Sequence, residues 1–187
     1  MAAKPARSPK KRVPRPSKPT RRRRAARPRV RARRIDAHAK TLAIGAEPPI
    51  DRDPDHLVPE FWTRLQRVLE QLAAAGTPFR FHEGFRTVER QQWLYGSGRP
   101  RAAFGRPGAI VTNADGVTAR SNHQGSGAAG SGRAADCYPL RDGRVIIPAS
   151  SDPLWRAYAQ VARAHGLTAG LYWPRFQDAP HCELPTG

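Results

Sequence analysis

Within PEFWTRLQRVLEQLAAA, apolar residues recur at Phe61, Leu65, Val68, Leu69 and Leu72, the spacing of one helical face. This predicts an amphipathic helix from Pro59 to Ala75, opened by its proline and stopped by Gly76. The period then changes: FRFH, Phe79 to His82, alternates like a half-buried strand. Thr87 is placed to cap a short helix that runs to Tyr95 and ends at Gly96. Gly96 to Gly132 reads mostly as loop. Ala134 to Tyr138 predicts a strand, RDGR (Arg141 to Arg144) a hairpin turn, and Val145 to Ile147 a second strand. Asp152 and Pro153 open another helix, with Trp155, Tyr158, Val161 and Ala162 on one face and Gly166 at its end. YWPRFQDAPHCEL, Tyr172 to Leu184, predicts a turn and a last strand. The elements add up to an α+β fold, a small antiparallel sheet with flanking helices.

The 187 residues allow one ordinary domain with a core. Charge is unevenly spread. Of the net +18, Met1 to Lys40 contributes +16, with 17 basic residues against Asp36 alone. KPARSPKKRVPRPSKPTRRRRAARPRVRARR carries six prolines and no aromatic residue, too little apolar surface to offset ordering. It predicts a disordered tail over 1–45, then a linker over 46–56 (with GAEPPIDRDPD) and a domain over 57–187. A run of about 18 apolar residues is absent, which predicts no membrane span, and the basic start lacks the apolar stretch of a secretory signal. Synthesis in the cytoplasm is expected. Two cysteines, Cys137 and Cys182, are too few for a disulfide scaffold.

Chemistry concentrates near two of the six histidines. His38 and His56 fall in tail or linker, and His165 sits beside a helix C-terminus, where a cation is favoured. His123 and His181 each have a nearby carboxylate: Asp136 beyond the soft loop GSGAAGSG, and Asp178 in DAPH. A hydrolytic zinc takes three imidazole and carboxylate ligands and leaves a position for water, a set that His123, Asp136 and His181 would supply. Asp178 is a candidate base, because Pro180 disfavours helix and leaves the segment free to turn over the metal face. Glu183 competes for that role. It shares a strand face with His181, so it can instead anchor the imidazole. Arg86 by itself reads as half of a surface salt bridge to Glu83 or Glu89.

The chain resembles the zinc D-alanyl-D-alanine carboxypeptidases and phage L-alanyl-D-glutamate endopeptidases, which share the Hedgehog-like peptidase fold. The likeness covers roughly Leu57 to Leu184 and is carried by four pieces in order: EGFRTVERQQWLYGSGR with Arg86, VTNADGVTARSNH with Ser121 and His123, GRAAD with Asp136, and FQDAPHCEL with Asp178 and His181. It implies Zn2+ on His123, Asp136 and His181, Asp178 as general base, and Arg86 on the substrate's developing oxyanion, with Ser121 and Glu183 supporting. The implied substrate is the peptidoglycan stem peptide, cut by an endolysin-like endopeptidase or a carboxypeptidase. One feature departs from the family: twelve residues separate His123 from Asp136, more than is usual. The extra residues are assigned to GSGAAGSG ahead of Gly132, where a flexible insertion costs on the order of 0.5 kcal/mol per doubling of loop length.

On a strand, Cys137 and Cys182 would point away from the zinc that Asp136 and His181 share. They form either a buried cross-strand pair or two unrelated core residues. The basic tail is expected to bind polyanions, whether anionic cell-envelope polymers or nucleic acid, by counterion release. Without a signal, such an enzyme would reach the wall after lytic release or by a non-standard route, and it is expected to be monomeric. The alternative is a polyanion- or nucleic-acid-binding protein with an inactive peptidase-like domain.

Overall fold

The computed structural model describes residues 46–185, so the basic tail lies outside the described residues. Three helices, α1 (Pro59–Ala74), α2 (Val88–Tyr95) and α3 (Pro153–Ala164), accompany five strands. These are β1 (Phe79–Glu83), β2 (Ala134–Arg141), β3 (Arg144–Val145), β4 (Thr168–Ala169) and β5 (His181–Glu183). The sheet is antiparallel in the order β1-β2-β5-β4, with β3 folded back on β2. The architecture is α+β, a small antiparallel sheet with flanking helices.

Helix α1 forms because Phe61, Leu65, Val68 and Leu72 make one continuous apolar stripe, and all four are buried. Each contributes roughly 1.5–3 kcal/mol over an exposed position. Gly76, at φ +74°, ends the helix in a conformation that L side chains resist. Helix α3 starts where the Asp152 side chain accepts from Leu154 N at 2.9 Å. The two helices pack on one another and on one face of the sheet, where Phe79 stacks on Tyr158 with ring centroids 4.9 Å apart.

Differences from the sequence reading have local causes. Strand β2 continues past Tyr138 to Arg141, because Pro139 lies beyond the last β5 partner and its missing N–H removes no bond to that strand. Strand β3 stops at Val145 and leaves Ile147 79% exposed. On α3, Ala159 is fully buried while Val161 is only half-buried. The two-residue β4 was too short to carry a period. Parts of the segment read as linker meet the domain: Gly84 N donates to Asp51 O at 2.9 Å, and His56 Nδ1 lies 2.7 Å from Asp51 Oδ2.

Candidate metal centre

Strand pairing brings the first two site residues together. Asp136 on β2 stands directly opposite His181 on β5, so their side chains share a face of the sheet. Cys137 and Cys182, one position on, turn to the other face, buried and free among the core residues around Tyr158. His123 comes from a single helical turn, Asn122–Gln124, built as a capping box: the Ser121 side chain accepts from His123 N at 3.3 Å, and Gln124 Oε1 accepts from Ser121 N at 3.0 Å. Ser121 thus orients the loop that carries His123.

The insertion after His123 closes on itself. Ser126 N donates to Ser131 Oγ at 3.1 Å, and Gly125, at φ +49°, lies against the Ser131 carbonyl, where a Cβ would not fit. The chain then returns to the domain as Gly130 N and Gly132 N donate to His56 O. The long spacing therefore does not keep His123 from Asp136.

Three donor atoms converge. His123 Nε2 lies 3.4 Å and His181 Nδ1 3.3 Å from Asp136 Oδ1, and the two nitrogens are 3.2 Å apart. The opposite ring edges carry the hydrogens. His123 Nδ1 faces the Gly84 carbonyl at 2.6 Å and His181 Nε2 faces Glu183 Oε2 at 2.9 Å, both partners that only accept. Two nitrogen lone pairs and a carboxylate oxygen are left pointing at one spot, and Asp136 Oδ1 is buried without a hydrogen bond. Such a cluster repels itself unless a cation or a proton sits in it. Ligands at the usual zinc distances of about 2.0–2.1 Å and tetrahedral angles lie about 3.3–3.4 Å apart, close to the edges of this triangle. The residues present therefore fit a metal with an open fourth position.

Burial, seconded by the charge of Arg86, pushes His123 down, toward the neutral form a ligand needs. Burial also opposes ionisation of Asp136, but His123 and Arg86 outweigh it and hold the carboxyl well below the usual range. Burial likewise disfavours charge on His181, yet the carboxylates of Asp136 and Glu183 beside it prevail and push it up to about 9. Without a cation, His181 draws a proton into the triangle, and a metal would exchange for that proton.

The remaining expected residues gather around this centre. Asp178 is half-buried at a cavity of about 910 Å3 that His123, Asp136 and His181 also line. Burial first, and then the charge of Asp136, push its carboxyl up to about 6. Its position depends on Gly170, since a Cβ there would lie 2.6 Å from Asp178 O and 3.0 Å from His181 Cβ. Arg86 Nη2 donates to Glu83 Oε2 at 2.8 Å, the partner foreseen for a surface salt bridge but with both residues buried, and also to Asp136 Oδ2. Glu183 takes the anchoring position at His181 Nε2.

Sequence reasoning missed several contributors. Glu83 was seen only as a partner for Arg86, although EGFR placed it three residues away. The Gly84 carbonyl gave no signal, being backbone. Gln91, fully buried, holds the cavity rim by donating to Ala114 O at 2.9 Å and Thr112 Oγ1 at 3.2 Å. Trp173 lies against His181 with ring centroids 4.8 Å apart.

No protein-family model matches the chain. Among solved structures, the chain is similar to the crystal structure of the L-Ala D-Glu endopeptidase ChiX of Serratia marcescens. The two share 20% identity over 71% of this chain and 83% of that chain, with a TM-score of 0.49. Among the described residues no helix is long and apolar enough to cross a membrane.

Proposed function

We propose that this chain is a zinc-dependent peptidase that hydrolyses a bond in the peptidoglycan stem peptide, either the L-Ala–D-Glu bond or the terminal D-Ala–D-Ala bond. The observation that carries the reading is the triangle of His123 Nε2, Asp136 Oδ1 and His181 Nδ1, whose ring hydrogens are turned outward. The substrate class comes from the four motifs the sequence shares with such peptidases.

Zinc held on these three residues would supply Lewis-acid polarisation of a peptide carbonyl and acidify water at the open position. The chain's own residues do the rest. Asp178, half-buried at the same cavity, accepts a proton from the attacking water and returns it to the leaving amine. Glu183 and the Gly84 carbonyl keep the two imidazoles turned toward the centre. Arg86 stands beside Asp136 with its Nε buried and unpartnered, a fixed positive charge next to the place where a carbonyl oxygen would gain charge. The basic tail would concentrate the enzyme on anionic envelope polymers.

The tail's charge favours a second reading, in which the protein binds nucleic acid or another polyanion and the domain is inert. One experiment separates the two: zinc content and release of new amino termini from purified peptidoglycan, on the native chain and His181→Ala together. Zinc near one per chain, with cleavage lost in the variant, supports the peptidase, and the released fragment names the bond. A native protein with neither zinc nor cleavage supports polyanion binding.

A further inference from the structure

Glu83 stands where simple alternation would not put it. On β1, Phe79 and Phe81 turn toward the helices, Phe79 onto Tyr158 and Phe81 against Trp62, with centroids 4.9 and 5.4 Å apart. Strict alternation would send Glu83 the same way, a carboxylate into the apolar layer. A register shift between Phe81 and Glu83 adds one residue to β1, and Glu83 comes to face Asp136 directly across the ladder. The extra residue moves the side chain to the face of the metal centre.

Two buried carboxylates directly opposite one another repel, and the structure puts a guanidinium between them. Arg86 Nη2 donates to Glu83 Oε2 and to Asp136 Oδ2, while Nη1 is 3.4 Å from Gln91 Oε1. Glu83 Oε1 is held by Arg90 Nε at 2.6 Å, and Arg90 continues to Glu47 at the exposed end of the network. A guanidinium left alone with a carboxylate grips both of its oxygens. Here Glu83 Oε2 shares Nη2 with Asp136 Oδ2 and Gln91 Oε1 faces Nη1, which turns the fork away from a two-oxygen grip, so Arg86 takes only Oδ2 of Asp136 and leaves Oδ1 to the histidines.

We propose that Glu83 is a positioning residue of the metal centre: by holding Arg86 on Asp136 Oδ2, it keeps Asp136 Oδ1 free to ligate. The inference rests on the metal-site reading above. Without Glu83, the guanidinium slides onto both oxygens of Asp136 and competes with the metal.

The test is the Zn2+ affinity of the full chain, by competition with a chromophoric chelator, alongside its Tm. Glu83→Gln is expected to weaken zinc binding about 10- to 100-fold, the usual effect of losing a partner that orients a ligand. Glu47→Gln, which loosens the outer end of the same network, should stay within about twofold of the native chain, and Glu83→Gln added to Arg86→Gln should cost nothing further. If Glu83→Gln does not fold, Glu83→Asp replaces it, with an intermediate loss expected. Zinc binding within about twofold of native in Glu83→Gln, with only Tm reduced, would overturn the inference and leave the metal site standing. A native chain that binds no zinc would overturn the metal reading and this inference with it.

Discussion

Along β2 and β5, neighbouring residues live in opposite media. Ala135, Cys137 and Cys182 face Tyr158 and the helices in an apolar layer, all with no exposed surface. Asp136 and His181, their immediate neighbours, face a polar cavity beneath Trp173 and the loop that carries Asp178. Different forces hold the two faces. The apolar one is fixed by volume and by area removed from water, so it depends on what packs there. The polar one is fixed by directed hydrogen bonds and charge balance, so it depends on single atoms such as Gly84 O and Glu183 Oε2.

The largest effect expected from breaking this comparison is on the polar face. His181→Ala should lose zinc and cleavage to background while the metal-free chain keeps its far-UV circular dichroism. Chelation of the native protein should do the same, and added zinc should restore activity. On the other face, Leu65→Ala in α1 opens a cavity at a position with no exposure and should cost about 2–5 kcal/mol in denaturant unfolding. Zinc affinity of the molecules that stay folded should not change. A change there would mean that the two faces are not independent.

Asp178 sharpens the contrast with a smaller effect of opposite sign. Its carboxyl, raised to about 6 in the fold against an ordinary 3.8, binds its proton more tightly when folded. The folded chain therefore holds more protons between about pH 4 and 6, stability falls as pH rises through that window, and the cost is complete above it. Asp178→Asn should stabilise the metal-free protein at pH 7 by about 3 kcal/mol, seen as a higher Tm, and the gain should vanish below about pH 4. The same substitution should abolish cleavage, as expected where a charge is kept in place against the fold's preference. The smallest effect is expected from excising 126–131. The segment's ends touch, so stability should move by less than about 1 kcal/mol and zinc affinity should stay as it was.

Legibility in the sequence divides along the same line. Helices α1 and α3 announced themselves because a buried stripe repeats every third or fourth residue over twelve or more positions. The two strands that carry Asp136 and His181 were legible, and their alternation sent both cysteines to the far side as expected, while the pairing that sets Asp136 against His181 came only with the structure. The closing of the gap between His123 and Asp136 was legible as a soft insertion, since glycine and serine offer nothing to pack. What stayed hidden has no periodicity. The register shift that turns Glu83 toward Asp136 depends on which residues of two separate strands pair. The Gly84 carbonyl that orients His123 is a backbone atom that any residue would carry. Strand β4, two residues long, exists only because β5 offers it an edge.

The core-facing thiols have a practical consequence. Cys137 and Cys182 are the only cysteines in the chain, both are fully buried, and burial pushes the Cys182 thiol up to about 12. At neutral pH the folded protein offers alkylating reagents neither access nor thiolate. For surface labelling it behaves as a cysteine-free chain. A fluorophore on Ala128→Cys, at the exposed tip of the insertion, would be the single dye on the molecule, carried a few residues from His123. Any further dye taken up would count molecules whose core has opened.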